Sequence, residues 1–160
     1  MKTELVRAIA LRKNKKGEEA LEILKNLLRL HPNDPDVNCQ LAYTCDSMGK
    51  ESDAAPFYER ALANGLVNDR SGAFLGLGST YRCLGEYEKS LKIFDQGIVE
   101  FPNDRSLKVF RALTLFNLGR AEESVGQILI QLLDTTNDAD IKTCDGPLRF
   151  YSDKLTQTWK

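Results

Sequence analysis

The residues best suited to nucleophilic or metal chemistry are one histidine and four cysteines. His31 stands in a turn signal directly before Pro32, a poor position from which to serve a nucleophile as general base. We interpret it as a surface residue near a helix end and expect no catalytic role. The cysteines occur singly and not as paired Cys-x2-Cys ligands, which favours free thiols packed between helices over a disulfide or a metal site. They are Cys39, Cys45, Cys83 and Cys144.

Two further patterns are similar to parts of phosphate and acid–base sites. The run Gly76-Leu77-Gly78 is rich in glycine, but no strand precedes it and no Gly-Lys-Ser/Thr follows it. We therefore interpret its second glycine as a place where two helices approach closely. The acidic pairs Glu18-Glu19 and Glu122-Glu123 each begin a helix, where negative charge favours the positive end of the helix dipole. The chain is thus predicted not to be an enzyme, and no cofactor or metal is expected.

The elements that position these residues are amphipathic helices, seen best between Ser71 and Asp104. Apolar and small residues recur there at i, i+3, i+4 and i+7, which places them on one face of a helix. Gly85 ends this helix, and a second amphipathic run follows until Pro102 stops it. The residues on these faces are Phe74, Leu77, Gly78 and Tyr81 in the first helix and Leu91, Phe94 and Ile98 in the second.

The order of residue types in this stretch is Phe-x2-Leu-Gly-x2-Tyr, then Ser-x3-Phe, then Pro. It resembles the tetratricopeptide repeat, with Phe74 where the family often has Trp and Ser90 where it usually has Ala. The resemblance implies an all-α fold, a right-handed α-superhelix (α-solenoid) of helix-turn-helix repeats. It also implies a role in binding other proteins.

Three further copies of the same template align with it in one register. Equivalent residues are spaced 34, 36 and 34 apart, with small residues that permit close helix approach and large ones that fill the remaining space. We predict a single domain, 1–160, with repeats at about 1–34, 35–70, 71–104 and 105–138. The small columns are Ala8, Ala42, Gly78, Ala112 and Ala20, Ala54, Ser90, Ser124; the large ones are Leu24, Tyr58, Phe94, Ile128 and Leu28, Leu62, Ile98, Leu132.

Turn residues predict where several helices begin and end. Asp34 followed by Pro35 indicates an N-cap with proline in the first helical turn. The two extra residues of the second repeat fall in 64–70, which predicts a longer loop there with Gly65 as the helix end.

The repeat pattern stops after Asp138, and a different helical pattern follows. The residues Leu148, Tyr151, Leu155 and Trp159 are spaced 3, 4 and 4, which predicts one apolar face of a helix over about 147–159. Because a repeat array needs its last apolar face covered, we interpret this helix as a cap. The alternative is that Phe150 or Trp159 stays exposed and contacts another subunit.

In tetratricopeptide arrays the first helix of each repeat lines a concave groove, and the resemblance implies the same here. Most of the groove residues carried over are apolar, which suits an amphipathic helix or an apolar extended segment of a partner. Arg12 and Arg82 would add selectivity for acidic residues. The alternative is that the apolar residues only complete packing within the array. The predicted groove residues are Leu5, Ile9, Arg12, Cys39, Tyr43, Asp46, Leu75, Ser79, Arg82, Val109, Leu113 and Phe116.

Some family members clamp the carboxylate tail of heat-shock chaperones with Lys, Asn and Arg on these first helices. We expect no such clamp here, because the corresponding residues are of other types. They are Leu5, Ile9, Gln40, Gly72 and Gly76.

Charge and hydropathy exclude several other classes of function. Net charge is −1, so no strong overall field attracts nucleic acid or an anionic membrane, and neither is expected as a partner. The N-terminal apolar runs are short and broken by Arg7 and Arg12, which argues against a signal peptide and predicts a cytoplasmic protein.

The predicted function is an adaptor that binds a protein or peptide. The alternative is a structural module that forms a homo-oligomer through the groove or the C-terminal helix.

Overall fold

A computed structural model describes residues 1–160, which form ten α-helices and no strand. The predicted all-α class of helix-turn-helix repeats is confirmed. The chain has two compact units, unit 1 (Met1–Glu86) and unit 2 (Tyr87–Lys160). Their boundary falls in the turn of the third repeat, so the single domain expected for 1–160 stays a prediction. Unit 1 contains α1 (Lys2–Lys13), α2 (Gly17–Leu30), α3 (Pro35–Asp46), α4 (Glu51–Ala63) and α5 (Arg70–Cys83); unit 2 contains α6 (Tyr87–Glu100), α7 (Arg105–Asn117), α8 (Ala121–Thr135), α9 (Ala139–Thr143) and α10 (Asp145–Tyr151).

Local signals set the helix boundaries largely as predicted. Asp34 caps α3 by accepting a hydrogen bond from Val37 N at 2.9 Å, and Pro35 occupies the first turn. Gly49 ends the first helix of its repeat with φ at +68°, in the left-handed region that favours glycine. The loop between α4 and α5 is long, as expected, and Gly65 follows α4 with φ at +78°.

The core of unit 1 contains both small columns and the first large column, whereas Leu28 and Leu62 of the second large column are only partly buried. Ala8 and Ala42 of the first small column are fully buried, and so are Ala20 and Ala54 of the second. Beside them the side chains of Leu24 and Tyr58 are each 1% exposed. The small side chains allow α1 to pack on α2, and α3 on α4, while the large ones fill the space between the helices.

In unit 2 two serines replace the usual small apolar residue, and both hydroxyls are satisfied. Ser90 Oγ lies 2.9 Å from Thr114 Oγ1, and Ser124 Oγ donates to the Ala112 carbonyl at 2.6 Å. A buried hydroxyl without such a partner would destabilise the fold. The core around them contains Phe94 and Leu115, both fully buried.

The C-terminal helix is shorter than the predicted 147–159, because α10 ends at Tyr151. Lys154 Nζ donates to the Phe150 carbonyl at 3.1 Å, which satisfies a carbonyl at the end of the helix. The chain then folds back, and the Trp159 ring lies 6.0 Å from Phe150 and 5.4 Å from Tyr151, between centroids. These aromatic contacts replace the continuous helical face that the spacing predicted.

Candidate functional site

The predicted groove residues of unit 1 lie on α1, α3 and α5, which contact one another in that order. We call this surface the first-helix face; it consists of Leu5, Ile9, Arg12, Tyr43, Leu75, Ser79 and Arg82, all partly exposed. Two other predicted residues of unit 1 differ. Cys39 is 1% exposed and lies in the core, and the Asp46 carboxylate is engaged within the fold. Neither presents a free side chain to a ligand.

The three groove residues predicted in unit 2 all lie on α7. Val109 is partly buried, whereas Leu113 and Phe116 are 38% and 65% exposed. Phe116 therefore offers the larger apolar surface on this helix.

Two tyrosines of the protein itself fill the space between α3 and α5. The Tyr43 and Tyr58 rings meet edge to face, with centroids 5.6 Å apart. Glycines on α5 make room for them: a Cβ added at Gly72 would lie 2.5 Å from Tyr43 Oη, and one added at Gly76 would overlap the Tyr58 phenol. This role was not predicted from the sequence, although two glycines four residues apart on a helix are a signal for close approach.

Both tyrosine hydroxyls donate to carboxylates. Tyr43 Oη donates to Asp69 Oδ2 at 2.8 Å, and Tyr58 Oη donates to Asp46 Oδ2 at 2.5 Å. Burial, together with these acceptors, raises the pKa of both phenols. Asp69 directly precedes α5 in a left-handed conformation with φ at +56°. Both tyrosines are thus neutral hydrogen-bond donors. Tyr43 connects α3 to the start of α5, and Tyr58 connects α4 to the end of α3.

Asp46 connects three helices rather than lining an open groove. Its Oδ1 accepts from Thr80 Oγ1 on α5 at 2.9 Å, while Oδ2 accepts from Tyr58 on α4. Burial raises the pKa of the Asp46 carboxyl, although the two donated hydrogen bonds act in the opposite direction.

Replacing Asp46 with Asn should remove one source of pH dependence from the stability. Because its pKa is higher in the folded than in the unfolded state, this group contributes stability that is fully present below the unfolded pKa. The contribution is lost as pH rises through the folded pKa. The free energy of unfolding of the wild type, minus that of Asp46→Asn, should therefore increase on acidification from neutral pH. Urea unfolding across a pH series measures this difference, and a constant difference would contradict the assignment.

Arg12 is held at the junction of α1 and α3. Its Cζ lies 5.3 Å from the centroid of the Tyr43 ring, and its Nη2 donates to Gln40 Oε1 at 3.1 Å. Its Nε is buried and has no hydrogen-bond partner. The first-helix face therefore carries a cation in a defined position, and Leu5 and Ile9 precede it on the same face of α1.

The histidine, the glycine-rich run and the cysteines do not form a common site. His31 is the exposed C-terminal cap of α2, and the run 76–78 lies inside α5. All four cysteines are free thiols; Cys39 and Cys45 are buried, while Cys83 and Cys144 are exposed. Burial raises the pKa of the Cys39 thiol to about 12, which disfavours the reactive thiolate.

Comparison with known proteins identifies the family. Residues 35–137 match the family described as Tetratrico peptide repeat. The chain belongs to the tetratricopeptide repeat family. This fold generally mediates protein–protein interaction, and its members are typically scaffolds without enzymatic activity. None of the helices in this tetratricopeptide repeat protein combines the length and the apolar character needed to cross a membrane.

Individual relatives match this protein in sequence or in fold. Superkiller protein 3 of Saccharomyces cerevisiae is 30% identical over 76 residues, which is 48% of this chain but only 5% of that protein. YrrB, a TPR protein with an unusual peptide-binding site, superposes with a TM-score of 0.73 at 19% identity, covering 94% of this chain and 77% of YrrB. The MamA protein gives a TM-score of 0.72 at 17% identity, covering 99% of this chain and 78% of MamA. At these identities the two structural likenesses show the fold alone.

Proposed function

We propose that this protein is an adaptor whose first-helix face binds an apolar-faced segment of a partner protein. The observation that supports this most directly is that Leu5, Ile9 and Leu75 stay partly exposed, while the first small column of unit 1 beside them is buried. Contact with a partner would remove this apolar surface from water. The peptide-binding site of YrrB, which shares the fold, is consistent with the proposal.

Peptide selection tests the proposal. Peptides selected on the wild type from a phage-displayed random library are expected to bind Ile9→Glu and Leu75→Glu at least about tenfold more weakly, because burying an apolar side chain contributes about 1.5–3 kcal/mol. Fluorescence anisotropy measures the affinities. Tyr43 is left unchanged, because it also supports the fold through Asp69.

The matched control is Leu30→Glu, since Leu30 is 73% exposed on α2 and outside the first-helix face. It should bind the selected peptides like the wild type, and circular dichroism should show all the variants to be folded. Peptides that bind Ile9→Glu and Leu75→Glu with unchanged affinity would exclude this face as the binding site.

A second candidate function is self-association through the C-terminal aromatic residues. Phe150, Tyr151 and Trp159 contact one another yet are 51%, 43% and 53% exposed. Light scattering over a concentration series tests it, because a monomer at every concentration would remove this candidate.

A further inference from the structure

Arg12 is a positive charge for which the chain supplies no carboxylate. It forms no ion pair, and its hydrogen bond within the chain is to the neutral amide of Gln40. Its neighbour on α1, Arg7, differs in this respect, since it pairs with Glu4 at 3.6 Å. Burying part of a guanidinium without a counter-ion costs desolvation free energy that an anionic partner would offset.

The surroundings of Arg12 also fix its orientation. The Tyr43 ring that supports the guanidinium is itself held by its hydrogen bond to Asp69. Gln40 accepts one of the five guanidinium N–H groups, and the Nε–H is buried. Three N–H groups on Nη1 and Nη2 remain for a ligand, and these suit the two oxygens of a carboxylate. Because the side chain is already ordered, binding an anion costs little additional conformational entropy.

We propose that the partner segment is amphipathic and carries an Asp or Glu side chain beside its apolar residues. Its carboxylate binds Arg12, while its apolar residues contact Leu5 and Ile9 on the same helix. This inference rests on the proposed function and names the partner's chemistry. The charge of Arg12 and the apolar side chains along α1 together select this occupant.

The test uses peptides selected on the wild type from a phage-displayed random library and resynthesised with amidated C-termini. Asp or Glu should be enriched beside apolar residues in the selected sequences. Arg12→Gln should weaken their binding about tenfold or more, in line with a hydrogen-bonded charge pair. The matched control Arg7→Gln removes the same charge from an exposed, already paired site on α1, and should change affinity less than about twofold.

A charge exchange keeps the test informative if Arg12→Gln is poorly folded. Arg12→Glu should bind the selected peptides weakly and should regain affinity when their acidic residue is replaced with Arg. Amidated and free-acid forms should bind alike, because a side-chain carboxylate is the proposed ligand. Binding that requires a free C-terminus would overturn the inference in favour of a terminal carboxylate.

The remaining outcomes separate the two proposals. Peptides that depend on Leu75 but lack acidic residues, or that bind Arg12→Gln as tightly as the wild type, would overturn this inference and leave the proposed function standing. A library that yields no peptide dependent on the first-helix face would overturn both.

Discussion

Replacing Tyr58 with Ala is expected to lower the free energy of unfolding by about 3–5 kcal/mol, the range for removing a buried aromatic side chain. Tyr58 is 1% exposed, and its ring fills the space beside Gly76 and contacts Tyr43 edge to face. The substitution leaves a cavity and also removes the donor to the Asp46 carboxylate. A partly buried carboxylate that loses a hydrogen-bond donor destabilises the folded state further. Urea unfolding followed by far-UV circular dichroism measures the loss.

Tyr58→Phe is the matched control, because it keeps the ring and removes only the hydroxyl. We expect it to lose about 1.5–3 kcal/mol, the contribution of a hydrogen bond to a charged group, and less than the alanine variant. Equal losses in the two variants would show that the hydroxyl, and not the ring, matters at this position. An unchanged unfolding midpoint in Tyr58→Ala would contradict the packing described between α3 and α5.

Replacing Gly126 with Ala should release the chain that follows α10. A Cβ at this position in α8 would overlap the backbone carbonyl oxygen of Ser152, which cannot rotate away as a side chain can. Forcing the extra methyl group into this contact costs about 1–3 kcal/mol, so the segment should detach in a larger fraction of molecules. Trypsin cleavage after Lys154 should accelerate about five- to a hundredfold, because it follows the population of the open form.

This effect should be local to the C-terminal segment. Alanine favours a helix over glycine by up to about 1 kcal/mol, so α8 itself should not unfold. Fluorescence of Trp159, the single tryptophan, should report increased exposure, since its ring packs on Phe150 and Tyr151. Gly146→Ala in α10 is the control, because a Cβ there would meet no atom within 4 Å. Cleavage of Gly126→Ala at the wild-type rate would contradict the close contact.

The repeat family and most helix boundaries could be predicted from the sequence, because they depend on local chemistry. The periodicity of apolar residues places one face of each helix inward. Asp34 before Pro35 is a local signal for the start of a helix, and α3 begins there. The columns repeated about every 34 residues indicated which helices pack together. The same local reasoning failed after Tyr151, where contacts of the Trp159 ring outweigh the helical spacing.

Tertiary structure alone decided which side chains of the predicted groove are available to a partner. Asp46 has the same place in its repeat as Arg12, yet its carboxylate is engaged by Thr80, 34 residues along the chain, whereas Arg12 has no carboxylate partner. Periodicity assigns a residue to a face of its own helix, but whether a polar group on that face is satisfied depends on atoms of other helices. The space that Gly72 and Gly76 leave for two tyrosines is set in the same way, by the distance between α3 and α5.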